Sequence, residues 1–330
     1  MTEVKEIRKN LYKISVPLIG NPLRVLNSYL IKAEDKELLI DTGFLTDYCL
    51  EALEDGLKQV GSNKEKRDVL GTHIHSDHIG LAHLMKGENR TVYLSKMDYD
   101  YMRSMIYANV EKARRARMVS EGFLPEWLEE NTRVNAAWKY DIGWQPDSTF
   151  TTLEDGEKLH YGDYTLQVVL TPGHTPGQMM IWDEEDKIMF TGDHILFDIT
   201  PNITNFEGIA DSLGNYLDSL KKAYSYPVEL ALPGHRESGN YHDRINDLLV
   251  HHEKRINQAF DIVKENPGLY AVEITQKMSW KIRAKNWDEF PVPQKWYATG
   301  ECLSHLDYLI ARGKIKKELD ENLYRYYAEE

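Results

Sequence analysis

The nine residues Thr72-His73-Ile74-His75-Ser76-Asp77-His78-Ile79-Gly80 put three imidazoles and a carboxylate into six positions, and they follow directly on the apolar run Asp68-Val69-Leu70-Gly71. Such a run reads as a short buried strand, so its alternation sends His73 and His75 to one side at the carboxyl end. Both rings can then reach one metal ion. Asp77 and His78 fall in the turn before a helix over 80–85, which lets them face a second ion a few ångströms away. Imidazole nitrogen and carboxylate oxygen suit zinc, and equally iron or manganese. A lone histidine is usually a surface or hydrogen-bonded core residue, but no packing need calls for a cluster of this density.

Two ions need more than four ligands, and three later segments repeat the same design. His174 stands in Leu170-Thr171-Pro172-Gly173-His174-Thr175-Pro176-Gly177, after the apolar strand 166–170. Asp193 ends Ile188-Met189-Phe190-Thr191-Gly192-Asp193, and His235 ends Val228-Glu229-Leu230-Ala231-Leu232-Pro233-Gly234-His235. Each is a polar residue just past a strand, with glycine beside it so that the backbone can bend sharply. In open sheets, sites are built at such ends.

These segments, in this order, resemble the metallo-β-lactamase-fold hydrolases. The resemblance implies that His73, His75 and His174 bind a first metal, that Asp77, His78 and His235 bind a second, and that Asp193 bridges them. It also gives Asp41, at the end of Leu38-Leu39-Ile40-Asp41-Thr42-Gly43, the task of orienting a ligand imidazole from behind. The alternative is a turn aspartate capping the helix around 46–57. His194, next to Asp193, is either a further imidazole facing the metals or substrate, or a plain strand-end residue, and Phe197 just beyond it is a candidate for lining a pocket.

A site of this type implies hydrolysis in which a hydroxide held between the ions attacks a carbonyl or phosphoryl group that they polarise. Asp77 and Asp193 are the catalytic candidates, Asp77 also as a proton acceptor or relay. No Gly-x-Ser-x-Gly elbow is present, and neither Cys49 nor Cys302 lies in a reactive context. Flavodiiron relatives carry Glu where this chain has His75, and a flavodoxin module follows, so oxygen or nitric oxide reduction is disfavoured. Gln178 stands where relatives often carry His in a Gly-His-Thr-Pro-Gly-His pattern; it is not in the implied ligand set, so the metals are unaffected.

At 330 residues with 42% apolar content, the chain can bury a large core and is expected to form two domains. Two cysteines far apart imply no disulfide framework and a reducing compartment. The first ten residues lack an apolar signal region, and no stretch approaches the roughly 20 apolar residues that span a bilayer. The expectation is a cytoplasmic protein without membrane partners.

Strands are expected at 11–16, 26–40 with a charged turn at 33–37, 91–94, and in a run over 149–190; helices are expected at about 46–60 and 209–224. Strand blocks interleaved with helices suggest two mixed sheets face to face with helices outside, which is the αββα sandwich of the resembled family, an α/β fold. Residues 1–250 would form this catalytic domain.

The stretch from about 96 to 146 is longer than compact relatives need. Its Met97, Tyr99, Tyr101, Met102, Met105, Ile106, Tyr107 and Val110 have helical spacing, and two or three helices over the metal site, as a lid or pocket wall, or an ordinary packed insertion, are the readings. Within it Lys112-Ala113-Arg114-Arg115-Ala116-Arg117 is a charge run that usually marks a solvated face. Tyr107, Arg114 and Arg115 are nevertheless candidate substrate contacts, the arginines for a phosphate or carboxylate.

Residues 251–330 form the second expected domain, with a long helix at 240–264 leading in and helices at about 271–278 and 300–312 before a hairpin over 314–327. This pattern resembles the winged-helix tail of the β-lactamase-like-2 subgroup. The tail carries 13 basic and 13 acidic residues, so the whole formal charge of −13 rests on the rest of the chain. Nucleic-acid affinity comes from clustered cations, and helix 300–312 offers Glu301, Asp307 and one Arg312. A packing or dimerisation role for the tail is therefore expected over duplex recognition. The function read from the sequence is a dinuclear metallohydrolase of a small ester, thioester or lactone, with a metal-dependent endoribonuclease as the alternative.

Overall fold

In a computed structural model of the protein, residues 1–107, 110–135, 149–281 and 284–329 are described. They divide into two compact units. The first comprises Met1–Arg103, Tyr140–Pro201 and Lys222–Ile245, and the second Ser104–Lys139, Asn202–Lys221 and Asn246–Glu330.

The first unit is built on two sheets. A seven-stranded sheet runs in chain order through β1 (Val4–Arg8), β2 (Leu11–Pro17), β3 (Val25–Lys32), β4 (Glu37–Ile40), β5 (Arg67–Leu70), β6 (Val92–Ser95) and β7 (Thr151–Leu153). The first four are antiparallel and the last four parallel. The five-stranded sheet places β12 (Leu230–Pro233), β11 (Ile188–Gly192), β10 (Met179–Asp183), β9 (Tyr164–Leu170) and β8 (Lys158–Tyr161) side by side, with β11 and β12 parallel. One apolar cluster joins them: Leu11, Tyr29, Ile31, Leu38, Ile40 and Leu70 from the first sheet pack with Leu166, Val168, Met179, Ile181 and Phe190 from the second. Both β4 and β5 are buried along their whole length, as parallel strands covered on both faces require.

The αββα sandwich expected from the sequence is thus the fold of the chain, and the strand positions agree apart from β1. The helices expected at 46–60 and 209–224 are α1 (Asp47–Gln59) and α7 (Ser212–Tyr224). Two helical details differ. The helix expected at 80–85 is the shorter α3 (Ala82–Met85), and the turn expected before it is itself a short helix, α2 (Ser76–Ile79), which carries Asp77 and His78. The helix expected to begin at Gly300 is α10 (Val292–Ala311), which runs through that glycine. A Cβ at position 300 would collide with Thr204 Oγ1, so this Gly serves close packing and does not break the helix.

In the second unit, the insertion contributes α5 (Val110–Ser120) and α6 (Pro125–Val134), and its residues 136–146 lie outside the described part. Met118, Phe123 and Leu128 join Ala259, Val272, Trp296, Leu303, Leu306, Ile315 and Tyr326 in one core. These partners come from α8 (Tyr241–Glu265), α9 (Ala271–Lys277), α10 and a hairpin of β13 (Ile315–Asp320) and β14 (Leu323–Ala328). Polar ties reinforce it: Arg117 donates to both carboxylate oxygens of Asp307 at 2.7 Å, and the Tyr326 hydroxyl donates to Glu121 at 2.8 Å.

The same unit buries two stacked histidines, His252 and His305, whose ring centroids are 5.5 Å apart. Burial lowers the affinity of His305 for a proton, with Arg255 and His251 adding to the effect against the bond to the Glu301 carbonyl, and brings its pKa to about 3. His252 is shifted in the same direction. An unfolded histidine titrates near 6.5, so as pH falls below that value the unfolded chain gains the proton first. The stabilising contribution of a neutral His305 is complete above pH 6.5 and declines as pH falls towards about 3. Between pH 7.5 and 5 the protein is expected to lose about 2 kcal/mol more stability than a His305→Gln variant, measured by urea unfolding. Because the Glu301 carboxyl is raised by burial and works the other way, the comparison with the variant is the informative one. Equal losses in the two proteins would refute this account of the pair.

Candidate metal centre

Most polar groups of the site sit where a strand ends, and Asp77 and His78 lie in the short helix α2 that follows β5. Asp41 follows β4, His73 follows β5, His174 lies beyond β9, Asp193 follows β11 and His235 lies beyond β12. Asp41 has a left-handed backbone, φ 58°, a region that aspartate enters more readily than most residues, and this turns its carboxylate back over the end of the sheet.

That carboxylate organises the neighbouring rings. Oδ1 accepts from the Thr72 backbone N–H at 2.8 Å, and Oδ2 accepts from His78 Nδ1 at 2.7 Å and lies 2.9 Å from the Thr72 hydroxyl. With the hydroxyl proton given to Asp41, Thr72 Oγ1 is left to accept from His73 Nδ1 at 3.1 Å. His235 Nδ1 donates to the Val25 carbonyl at 2.8 Å. Each of these three rings is thereby fixed with Nε2 available to a ligand. Capping of helix α1 falls to Thr46, whose side chain accepts from Cys49 N, so Asp41 is not needed there.

The available atoms form two adjoining sets. His73 Nε2 and His174 Nε2 lie 2.9 and 3.1 Å from His75 Nδ1. His235 Nε2 is 3.3 Å and His78 Nε2 4.0 Å from Asp77 Oδ2. Asp193 stands between the sets, with Oδ2 3.7 Å from His174 Nε2 and 3.5 Å from His235 Nε2, and Oδ1 3.5 Å from His78 Nε2. Among the described residues three groups could each hold an ion: His73, His75 and His174; His73, His78 and Asp193; and Asp77, His78 and His235. The structure therefore brings together all seven residues singled out by the sequence.

The donors fit a divalent cation. His78 Nε2, His235 Nε2 and Asp193 Oδ1 are buried and have no hydrogen-bond partner among the described residues, a costly arrangement for polar atoms unless a ligand takes them up. Burial, followed by neighbouring imidazoles, holds His73 far below the usual histidine range, and burial with His174 brings His75 to about 3, so both present neutral nitrogens. Burial raises the Asp77 carboxyl, but His78 and His235 outweigh it and bring it to about 2. Burial acts likewise on Asp193, and His235 and His78 again leave it lowered. His78 and His235 are raised against burial by the surrounding carboxylates. Gly234 is obligatory at this spot, because a Cβ there would lie 2.6 Å from Asp193 Oδ1 and 2.8 Å from His78 Cε1.

The other candidates are placed as follows. His194 is fully buried and its backbone N–H donates to Thr191 O at 3.1 Å. Phe197 lies over Gly239. In the second unit, the Arg114 guanidinium is 4.9 Å from the centre of the Trp296 ring, and Arg115 donates to Thr132 Oγ1 at 2.8 Å. The side chain of Tyr107 lies outside the described residues. Two residues were missed by the sequence reading: Thr72, just described, and Asp98, fully buried beside the ligand loops. Burial pushes the Asp98 carboxyl up to about 7, against hydrogen bonds from Thr175, Gly177 and Ile74.

Replacing Asp41 by Asn preserves a residue tolerant of positive φ while removing the charge that fixes Thr72 and His78. Metal affinity is expected to fall by about 10–100-fold with the fold retained. Chelator competition together with circular dichroism checks this, and unchanged affinity would exclude the orienting role.

A family model described as the metallo-beta-lactamase superfamily matches residues 22–235. A beta-lactamase-like protein 2 homolog of Caenorhabditis elegans is 25% identical over 299 residues, covering 86% of this chain and 83% of that protein. The acyl-coenzyme A thioesterase MBLAC2 of Homo sapiens is 26% identical over 222 residues, covering 63% of this chain and 72% of that protein. Among solved structures, a metallo-beta-lactamase family protein of Thermus thermophilus superposes with a TM-score of 0.82 at 24% identity, covering 98% of this chain and 100% of the other. That likeness extends the agreement in fold to nearly the whole chain.

Proposed function

The chain belongs to the metallo-β-lactamase superfamily, and we propose that it is a dinuclear metallohydrolase acting on an acyl thioester or a related small ester or lactone. The observation that carries this reading is the pair of adjoining candidate ligand sets with Asp193 between them. His73, His75 and His174 would hold one ion, and Asp77, His78 and His235 the other. Bound divalent ions, zinc in the first instance with iron or manganese served by the same donors, would generate a water-derived nucleophile near neutral pH and polarise the scissile carbonyl.

The residues of the chain supply the rest. Asp77, kept ionised by His78 and His235, is the proton acceptor of the site. Asp41 and His235's partner carbonyl hold the rings in one tautomer, so that no reorganisation accompanies the reaction. The thioester preference is supported by the similarity to the human acyl-coenzyme A thioesterase. Phe197, Tyr107, Arg114 and Arg115 stay as proposed substrate contacts. Among the cations Arg115 is the one to test, because Arg117 is committed to Asp307 and Arg114 to Trp296.

Metal-free protein reloaded with zinc, iron or manganese and offered acyl-coenzyme A thioesters, lactones and RNA is expected to hydrolyse a thioester. That rate should change little between about 50 and 200 mM salt, whereas phosphate-backbone recognition weakens steeply over this range. Salt-sensitive cleavage of RNA with inert thioesters would overturn the small-molecule reading in favour of an endoribonuclease.

A further inference from the structure

We propose that Asp98 is a positioning residue whose carboxylate sets the spacing between the loop carrying His73 and His75 and the loop carrying His174. The proposal rests on the dinuclear reading above and concerns the ion held by those three histidines. Asp98 lies in the first turn of α4 (Lys96–Tyr107), directly after β6, and is fully buried. Its Oδ2 accepts from the Ile74 backbone N–H at 3.1 Å and from the Thr175 hydroxyl at 2.7 Å, and its Oδ1 accepts from the Gly177 N–H at 2.6 Å. Ile74 separates His73 from His75, and Thr175 adjoins His174. One carboxylate therefore grips two loops that are about a hundred residues apart in the chain and that together supply all three members of this histidine set.

The grip has a matching fit on the other side. Ser95 Oγ accepts from the Asp98 N–H at 3.1 Å, and a Cβ on Gly177 would collide with Asp98 N and Ser95 Oγ. The loop after His174 is thus drawn against the helix start, at a distance only glycine permits. Only neutral donors reach the carboxylate, so its burial is costly, and three hydrogen bonds offset that cost only while both loops are in place. Asparagine cannot replace it. Turning its oxygen to Gly177 sets its NH₂ against the Ile74 N–H, and the opposite choice sets it against Gly177.

Chelator competition with Zn²⁺ on the full chain tests this, using wild type, Asp98→Asn and Asp98→Ala, with thermal melting of the metal-free proteins alongside. The expected result is two ions on the wild type. In both variants the affinity for one ion should fall about 10–100-fold with the other ion held as in wild type, while the metal-free proteins, with buried donors left unpaired, melt somewhat lower but still cooperatively. Wild-type affinity for both ions in the variants would overturn the proposal. So would an equal loss at both sites accompanied by a collapse of the metal-free melting temperature, which marks general destabilisation. A wild type that binds fewer than two ions refutes the dinuclear reading instead; Asp98 is then judged on the ion that binds, and an affinity unchanged by Asp98→Asn and Asp98→Ala overturns its role.

Discussion

Asp193→Ala is expected to lower kcat/KM for the proposed thioester substrate by roughly a thousandfold or more, equivalent to about 4 kcal/mol of transition-state stabilisation, and to leave the protein short of its full metal content. The reason is position. Its two oxygens lie 3.5 Å from His78 Nε2, 3.5 Å from His235 Nε2 and 3.7 Å from His174 Nε2, a reach across both ligand sets. Alanine also leaves the buried nitrogens of His78 and His235 with one fewer carboxylate to compensate them. Metal analysis of the purified variant, paired with kinetics at saturating metal, separates lost binding from lost chemistry. Two ions retained with kcat/KM within tenfold of wild type would end the bridging assignment.

The largest expected effect on stability lies far along the chain from any ligand. Phe123 is buried in the second unit, edge-on to Trp127 and Trp296 with ring centroids 5.3 and 5.7 Å away. Truncating such a ring removes its transfer free energy and leaves a cavity, so Phe123→Ala should cost about 3–5 kcal/mol. Because residues of the insertion and of the C-terminal segment share this core, the expected readout is loss of ordered tryptophan signal and protease resistance from the C-terminal segment, at a lower temperature than in wild type. Cleavage confined to 110–135 with the C-terminal segment untouched would show that the two pieces are independent.

How much of this could be seen in the sequence varied with how local the determining interactions are. The ligands were legible because each is a metal-binding side chain near glycine at the end of an apolar run, a pattern contained in a short stretch of chain. Asp98 was not, although Ser95-Lys96-Met97-Asp98 has the spacing of a helix-capping box. The structure uses one half of that motif, the serine accepting from the Asp98 N–H, and sends the carboxylate to loops that sequence spacing cannot place nearby. The shared core of insertion and tail was hidden for the same reason: Met118, Phe123 and Leu128 are apolar residues of the insertion, but nothing in their neighbourhood names Trp296 or Tyr326 as partners. Strand β1 was missed because Val4-Lys5-Glu6-Ile7-Arg8 has only two apolar residues and lies at a sheet edge.

The unequal spacing of the seven proposed ligands along the chain bears on how the protein reaches its native state. Four of the seven fall in the stretch from His73 to His78, while His174, Asp193 and His235 arrive only when β9, β11 and β12 have paired and the second sheet has docked. With the proposed ligands, the denatured chain already contains a short chelating peptide, so an ion would bind the unfolded ensemble as well as the folded one, which would subtract from the stability that metal confers. The non-local pairings that complete the site are also the slow ones to form. An ion seized early by the peptide must be held without its distant ligands or released, which makes timing a property of this fold: the chain closes best when the sheets come first and the metal second.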